Sequence, residues 1–285
     1  MAQITQSHNR RIDEFHALHH SSKQTPFILQ NAWDACSAKI MENCGARAIA
    51  TTSLGMAAAC GYKDGEKLPL EIFFSMVECM SKVLSVPLSI DFEAGYGKTP
   101  AEVCDNIKRL IQLGVVGVNI EDADQERPGA LLPIAEQAAK IAAIRALAID
   151  QDVPKFFINA RTDLYWQKEA IHFDTEEERF DEMLSRLQAY KDAGADGIFI
   201  PGLTDLALIS KLEKKIHLPV NVQKGDWSLQ EAKSNGVSRI STGSGMFRAS
   251  AERIQELSKL LIHNPDNLHC ISPTITYYDV NSWFH

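Results

Sequence analysis

The chain has 285 residues, a formal net charge of −8 and a sequence pI near 5.6. This acidity argues against nucleic acid and against an anionic membrane surface as partners, because both are polyanions. The composition, 45% hydrophobic and 23% charged, is that of a globular protein. A chain of this length can bury a hydrophobic core without disulfides or structural metal ions.

Cysteine usage and the N-terminus bear on the compartment. None of the six cysteines forms a C-x-x-C pair, and most fall in apolar helical patterns, so we predict buried, reduced thiols. The first twenty residues lack the apolar region of a signal peptide, and no run approaches the ~18 apolar residues of a membrane helix. We therefore expect a cytoplasmic protein.

Eight short apolar runs recur along the chain, each typical of a parallel strand buried on both faces. They lie at 27–31, 48–53, 88–92, 117–121, 156–160, 197–200, 220–222 and 239–241. Helical patterns separate them. One starts at Thr99 or Pro100 and ends at Gly114, and another starts with a capping box of Thr175 and Glu178 and ends at Gly194.

No linker divides these strand–helix units, and no segment differs from the rest in composition, so we predict one domain over residues 1–285. Its predicted fold is a single closed (β/α)₈ TIM barrel. Residues 1–24 would be an N-terminal helix or arm and residues 265–285 an aromatic tail. An open doubly wound sheet is the alternative, but it needs a Gly-rich turn after the first strand, and none is present. The tail could cap the barrel or pack on another subunit.

In such barrels the active site lies at the C-terminal ends of the strands. We expect Asp91 and Glu93 to alternate along the third strand, so that both face the mouth. The other acids expected to converge there are Glu121 and Asp122, joined by Asp64 and Asp163. Crowded carboxylates raise one another's pKa values, and Mg²⁺ prefers a few carboxylates together with waters. A divalent metal site is therefore predicted, with helix capping or ion pairing as the alternative for any single acid.

Other polar groups at the strand ends could bind a substrate. Arg161 is suited to bidentate binding of a carboxylate or phosphonate, and it could also form ion pairs with neighbouring acids. The turn from Thr52 to Gly55 could present backbone N–H groups to a carboxylate. The stretch Gly243–Gly245 opens the last helix, where it could bind phosphate or merely cap the helix.

Seven segments carry a family resemblance. They are LQNAWDACSAKI, TTSLGMAAACGYKDG, SIDFEAGYGKTP, GVNIED, INARTD, FIPGLTD and PVNV. In this order they resemble the isocitrate lyase/phosphoenolpyruvate mutase superfamily, across nearly the whole chain. The resemblance implies a homo-oligomer, a dimer or tetramer, whose last helix is exchanged between neighbours.

The resemblance also implies roles for residues. Mg²⁺, with Mn²⁺ as a substitute, would be held largely through waters by Asp91, Glu93 and Glu121. A 2-oxo acid, enolate or phosphonate would be bound by Thr52, Ser53, Leu54, Arg161 and Asn221. Asp64, Arg161 and Glu121 would be the catalytic residues.

Two departures from the family pattern leave the reaction open. The isocitrate and methylisocitrate lyases carry K-[KR]-C-G-H after the fourth strand, and the phosphonate enzymes carry a Lys-rich loop with Asn-Ser. This chain has ADQERPG at 123–129 instead, and it has Glu93 where many members have Asp. We therefore expect no catalytic cysteine. We also expect a mobile lid at 123–132, in which Arg127 grips an anionic leaving group.

The expected function is a Mg²⁺-dependent lyase or mutase. It would act on a C–C or P–C bond of a small 2-oxo or 2-hydroxy carboxylic or phosphonic acid through an enolate. Three alternatives remain: an oxaloacetate-type decarboxylase, a phosphate-binding barrel isomerase or synthase, and a barrel that binds a metabolite without catalysis.

Overall fold

The strands of the barrel lie where the apolar runs predict them. The structure, a computed structural model, describes residues 6–20, 25–167 and 170–284. Its strands are β1 (Phe27–Ala32), β2 (Ile49–Thr51), β3 (Leu88–Asp91), β4 (Gly117–Glu121), β5 (Phe157–Arg161), β6 (Gly197–Phe199), β7 (Val220–Gln223) and β8 (Val237–Ser241). All pair in parallel in chain order, and β8 closes on β1. The predicted (β/α)₈ barrel is confirmed.

Helices separate the strands. They are α1 (Gln6–His20), α2 (Ala35–Asn43), α3 (Ser53–Ala59), α4 (Leu70–Val83), α5 (Pro100–Gln112), α6 (Ile134–Asp150), α7 (Glu176–Asp192), α8 (Leu206–Ile216), α9 (Leu229–Ser234), α10 (Gly245–His263) and α11 (Tyr277–Ser282). A 3₁₀ turn covers Pro265–Cys270. The predicted capping box starts α7 at Thr175, and α5 starts at its predicted position with a further capping box at Thr99. Within the described ranges, no helix is long and apolar enough to span a bilayer.

The bottom of the barrel is closed by aromatic packing. The Phe157 ring on β5 stacks on His19 of α1 at 4.0 Å between ring centroids. A Cβ added at Gly117 would lie 2.5 Å from the Phe157 carbonyl oxygen, so β4 and β5 approach more closely there than any side chain allows. Side chains thus fill the lower barrel, and the cavity at the opposite end is the place for a ligand.

The layer beneath the mouth is polar. Asn119 Oδ1 accepts hydrogen bonds from Asn159 Nδ2 at 2.8 Å and from Arg239 Nη2 at 3.3 Å. Arg239 is 0% exposed, and its Nε donates to Ser241 Oγ at 3.2 Å. Asn119 also points its amide nitrogen at Asp91, 3.5 Å away. This polar layer lies directly beneath the acidic residues of the barrel mouth.

Candidate active site

A cavity of about 370 Å³ opens at the C-terminal ends of the strands, a volume suited to a small metabolite. Its acidic lining residues are Asp64, Asp91, Glu93, Glu121, Asp124 and Asp163. Among the described residues, only Arg161 and Lys67 are basic side chains of the lining. The site is therefore strongly acidic, as the strand-end pattern predicts.

Arg161 lies at the centre of the acidic cluster. Its Nη1 is 2.9 Å from Glu121 Oε2 and 3.6 Å from Asp91 Oδ1. Its Nη2 donates to Asp163 Oδ2 at 2.9 Å, and Nε donates to the other oxygen of that carboxylate. Burial lowers the pKa of Arg161, but the three carboxylates outweigh it and hold that pKa well above its ordinary value. Arg161 thus stays charged and fixed in orientation.

Asp91 ends β3 with its carboxylate loosely engaged. The Ser53 N–H lies 3.4 Å from Oδ2, and the Asn119 and Arg161 contacts to Oδ1 are 3.5 and 3.6 Å long. These distances exceed those of good charge-assisted hydrogen bonds. Of the acids around Arg161, Asp91 is therefore the one best placed to accept a further cation.

Glu93 reaches the cavity by a different route from the one predicted. It follows β3 with a left-handed backbone, φ 49°, so strand alternation with Asp91 does not aim it. Glu66 and Tyr96 also have left-handed backbones, with φ 58° and 53°. We call these three residues the carboxylate clasp, because both Glu93 oxygens accept hydrogen bonds of 2.7 Å, from Glu66 N and from Tyr96 Oη.

The clasp joins the loop that carries Asp64 to the loop that follows β3. Glu66 Oε1 completes it by accepting the Tyr96 N–H at 2.7 Å. Burial, together with the carboxylates of Asp64 and Asp91, raises the pKa of Glu93 to about 7 despite these hydrogen bonds. Three left-handed residues other than glycine are costly, so these mutual hydrogen bonds are what hold the clasp in place.

Burial also raises the pKa values of other acids at the mouth. Burial raises the pKa of Glu121 well above its ordinary value. Arg161 lowers this pKa, and the carboxylates of Asp163, Asp91 and Glu93 raise it further. The pKa of Asp64 is raised by partial desolvation and by Asp91. Acids with raised pKa values at a cavity are candidates for proton transfer near neutral pH.

Asp122 does not join the cluster, and that part of the prediction is wrong. Strand alternation turns it away from the mouth, toward α7, where it is 0% exposed. Its Oδ2 accepts from Tyr190 Oη at 2.8 Å and from Arg186 Nη1 at 3.2 Å, and its Oδ1 accepts the Asp163 N–H at 3.0 Å. Asp122 thus anchors Asp163, which takes its expected place beside Arg161.

The predicted substrate-binding residues are partly brought together. Thr52, Ser53 and Leu54 line the cavity at the start of α3. Asn221 does not line it: this residue is 1% exposed in the polar layer, where its Oδ1 accepts from Ser241 Oγ at 3.1 Å. Gln223, two residues further along β7, reaches the cavity instead.

The segment 123–132 has more internal structure than a mobile lid suggests. Asp124 Oδ1 accepts the N–H groups of Glu126 at 2.9 Å and of Arg127 at 3.1 Å, and Ala123 bridges to Leu131. Arg127 pairs with Asp124 at 2.7 Å, is 68% exposed and does not line the cavity. The expected grip of Arg127 on a leaving group is therefore not present in this structure.

The cysteines and the Gly243–Gly245 stretch lie outside the acidic cluster. All six cysteines are free, and none lines the cavity. Cys36, Cys44 and Cys79 are exposed, because each lies on the outer face of its helix or just beyond it. The other three cysteines are half-buried, so the prediction of burial is wrong. The Gly243 N–H donates to Asn31 Oδ1 at 3.0 Å, which engages one of the amides that a phosphate would need.

Comparison with known proteins identifies the family of this barrel. The family model for phosphoenolpyruvate phosphomutase matches residues 15–262. The chain belongs to this family. It is 36% identical over 236 residues to an uncharacterized protein of Mycobacterium tuberculosis, a match covering 82% of this chain and 83% of that one. An oxaloacetate decarboxylase of Pseudomonas fluorescens is 27% identical over 268 residues, which is 89% of this chain and 88% of that one.

Solved structures share the fold of this chain. A candidate phosphonomutase from Burkholderia cenocepacia is 36% identical, has a TM-score of 0.82, and is matched over 88% of this chain and 98% of its own. At 20% identity, phosphonopyruvate hydrolase in complex with oxalate and Mg²⁺ shares the fold, with a TM-score of 0.81 over 96% of this chain and 94% of that one.

The donor set of this phosphomutase-family site fits a divalent cation. Six carboxylates and two basic side chains line the cavity, and carboxylate oxygens are the ligands that hard cations prefer. Across the described ranges, no three His, Cys, Asp or Glu side chains are arranged to chelate an ion directly. Mg²⁺ is a cation that binds through one or two carboxylates and keeps several waters.

Several residues that line the cavity or hold a lining residue in place were not singled out from the sequence. Glu66 stands two residues after Asp64, and Tyr96 lies in the G-Y-G motif, so a closer reading of those motifs could have found both. Gln223 could have been found from its place two residues after Asn221 on the same strand. Trp166 and Gln125 lie in loops and carry no such signal.

Proposed function

We propose that this phosphomutase-family protein is a Mg²⁺-dependent enzyme that breaks or forms a bond to C3 of a small 2-oxo or 2-hydroxy acid through an enolate. The observation that carries the proposal is Arg161 held between Asp91, Glu121 and Asp163 at the barrel mouth. A fixed cation beside acids that can hold a metal suits an oxygen on which negative charge develops.

The metal would be held by Asp91 directly and by Glu93 and Glu121 through waters. When bound, the ion would supply a Lewis acid for the 2-oxo oxygen and positive charge that offsets the acidic cluster. Glu93 suits a water-mediated role, because both of its oxygens already accept hydrogen bonds within the clasp. Mn²⁺ would substitute, since it takes similar oxygen ligands.

Groups of the chain itself would bind the substrate and transfer the proton. Thr52, Ser53 and Leu54 would hold the carboxylate next to the 2-oxo group, and Arg161 would donate to the enolate oxygen through Nη1. Asp64, with its raised pKa, would hold the proton that C3 of the enolate takes when the bond to C3 is broken. The polar layer with Arg239 and Asn119 would keep Asp91 in position from below.

Oxaloacetate-type decarboxylation is the second candidate. Loss of CO₂ needs no acid to protonate a leaving group, which agrees with a loop at 123–132 that carries neither Cys nor His. The similarity to an oxaloacetate decarboxylase over most of both chains adds support. A phosphate-gripping isomerase has less support, because Asn31 already occupies the Gly243 amide.

A homo-oligomer and a cytoplasmic location complete the proposal. Along α10, which the structure describes throughout, no side chain is buried, and Ile254 and Ile262 are 66% and 75% exposed. A helix with such a face is typical of one that packs on a neighbouring subunit. Exchange of this helix between neighbours would cover it.

The experiment is a screen of small 2-oxo acids, 2-hydroxy acids and phosphonopyruvate with Mg²⁺, read out as pyruvate or another enolate-derived product. The wild type should turn over at least one compound, and removal of Mg²⁺ with EDTA should stop the reaction. Undiminished turnover in EDTA would contradict the proposed role of the metal. The variant Asp174→Asn, at an exposed acid outside the cavity lining, serves as the matched control for variants of the site acids.

A further inference from the structure

Lys67 lines the cavity from the loop 60–69, which joins α3 to α4. The chain is fixed on both sides of this residue. The N–H of Glu66 donates to Glu93 Oε2 at 2.7 Å, and the side chain of Leu68 is 2% exposed in the core. The backbone of Lys67 is therefore held in place, while its long side chain reaches the cavity.

Arg161 and Lys67, the basic residues of the lining in the part of the chain that the structure describes, differ in how they are engaged. Arg161 directs Nε, Nη1 and Nη2 at carboxylates of the acidic cluster. Within the described ranges the ammonium of Lys67 forms no ion pair and no hydrogen bond. The neighbouring carboxylate of Glu66 accepts the Tyr96 N–H instead. Lys67 thus has three N–H donors to offer a ligand.

The position of Lys67 suits the binding of an anion. Six acids line the cavity, and they would repel an anionic substrate unless positive charge offsets theirs. Arg161 supplies such a charge at the end of β5, and Lys67 supplies another from a different segment of the mouth. A Cβ added at Gly65 would lie 3.8 Å from Gln125 Oε1, so the loop 60–69 meets the segment 123–132 close to Lys67.

We propose that Lys67 is a substrate-binding residue, whose ammonium pairs with a carboxylate or phosphonate oxygen of the substrate. This inference rests on the proposed function and adds to it a residue that binds the substrate without taking part in the bond cleavage. A lysine suits this role, because its ammonium is a compact charge on a flexible stem and can follow the anion to its bound position. Loss of this charge should therefore weaken binding and leave the chemical step unchanged.

Calorimetry on the full chain with saturating Mg²⁺ tests the inference with two ligands. Oxamate and N-oxalylglycine share one end, and N-oxalylglycine carries a second carboxylate. Lys67→Met should weaken the binding of N-oxalylglycine about tenfold or more, because a charge-assisted hydrogen bond is lost. Lys67→Arg, which keeps the charge, should retain most of the affinity. A loss for oxamate as well would assign Lys67 to the shared carboxylate, and an unchanged affinity for oxamate would assign it to the second one. Unchanged affinity for both ligands would overturn the inference.

Lys63→Met is the matched control, because Lys63 is an exposed lysine of the same loop that does not line the cavity. It should leave both affinities within about twofold of wild type. A loss equal to that of Lys67→Met would point to net charge rather than contact and would overturn the inference. If the wild type binds neither ligand, the proposed 2-oxo site itself is wrong, and the inference falls with it.

Kinetics separate a binding role from a merely structural one. With a substrate that the wild type turns over, Lys67→Met should raise KM about tenfold and change kcat less than about twofold. A fall in kcat with KM unchanged would contradict the assignment of Lys67 to substrate binding.

Discussion

Among single side chains, Asp91 is the one expected to separate metal binding from folding. The contacts of its carboxylate are all 3.4 Å or longer, so Asp91→Asn removes a negative charge while keeping the shape and losing little stabilisation. Mg²⁺-dependent turnover should fall by about 100-fold or more, with the melting temperature nearly unchanged. Full activity in Asp91→Asn would remove this residue from the mechanism, and Asp174→Asn should behave as wild type.

Glu93 should make stability depend on pH in a defined direction. Its pKa in the folded protein is about 7, above its ordinary value of 4.5, so folding favours the protonated form. The stabilising effect of protonation is complete below about pH 4.5 and is lost as pH rises through 7, an effect of up to about 3 kcal/mol. In EDTA, Glu93→Gln should therefore gain stability relative to wild type as pH rises from about 4.5 to about 7, and keep that gain at higher pH. A pH-independent difference between the two proteins in chemical denaturation would contradict this pKa.

The position of a residue on a strand predicted some site residues and not others. Asp91, Glu121 and Arg161 could be assigned because the inward-facing ends of parallel strands all meet at one mouth. Glu93 was assigned to the cavity for the wrong reason, since its left-handed backbone and its clasp partners depend on long-range hydrogen bonds. Asp122 was misplaced because adjacent residues at a strand end face opposite sides.

Among the elements, the loop at 123–132 gives the sharpest test. Asp124 holds its turn through two N–H groups and the Arg127 guanidinium, so Asp124→Ala should loosen it. Limited proteolysis should then cut this loop faster in Asp124→Ala than in wild type. As a lid, the wild-type loop should also be protected by Mg²⁺ and oxalate together. Equal cleavage with and without these ligands would mean that the loop is not a lid.

The strands and most helix ends followed from local rules, whereas the structure of this loop did not. Apolar runs, capping boxes and C-cap glycines each act within a few residues, so β4 and the starts of α5 and α7 were predicted closely. The loop instead depends on a single carboxylate that accepts two N–H groups, which composition does not reveal. Charged residues followed by Pro128 and Gly129 suggested mobility, while the hydrogen bonds of Asp124 hold a defined turn.

For the whole molecule, the exposed face of α10 predicts assembly. A single chain of 31.7 kDa leaves Ile254 and Ile262 largely exposed, so light scattering should give a mass of two or four chains. Ile262→Glu should shift the mass toward one chain, because burying an unpaired carboxylate in an interface is costly. Ile149→Glu, at an isoleucine of α6 that is 59% exposed, is the matched control. A monomeric wild type would refute the proposed assembly.

The central claim is that the acidic mouth binds an enolate-like ligand only together with a divalent metal. Calorimetry with oxalate, a planar analogue of the pyruvate enolate, tests it most directly. Oxalate should bind wild type in the presence of Mg²⁺, lose nearly all affinity in EDTA, and bind Asp91→Asn weakly under both conditions. Oxalate that binds as tightly in EDTA as with Mg²⁺, or binds Asp91→Asn like wild type, would contradict the account.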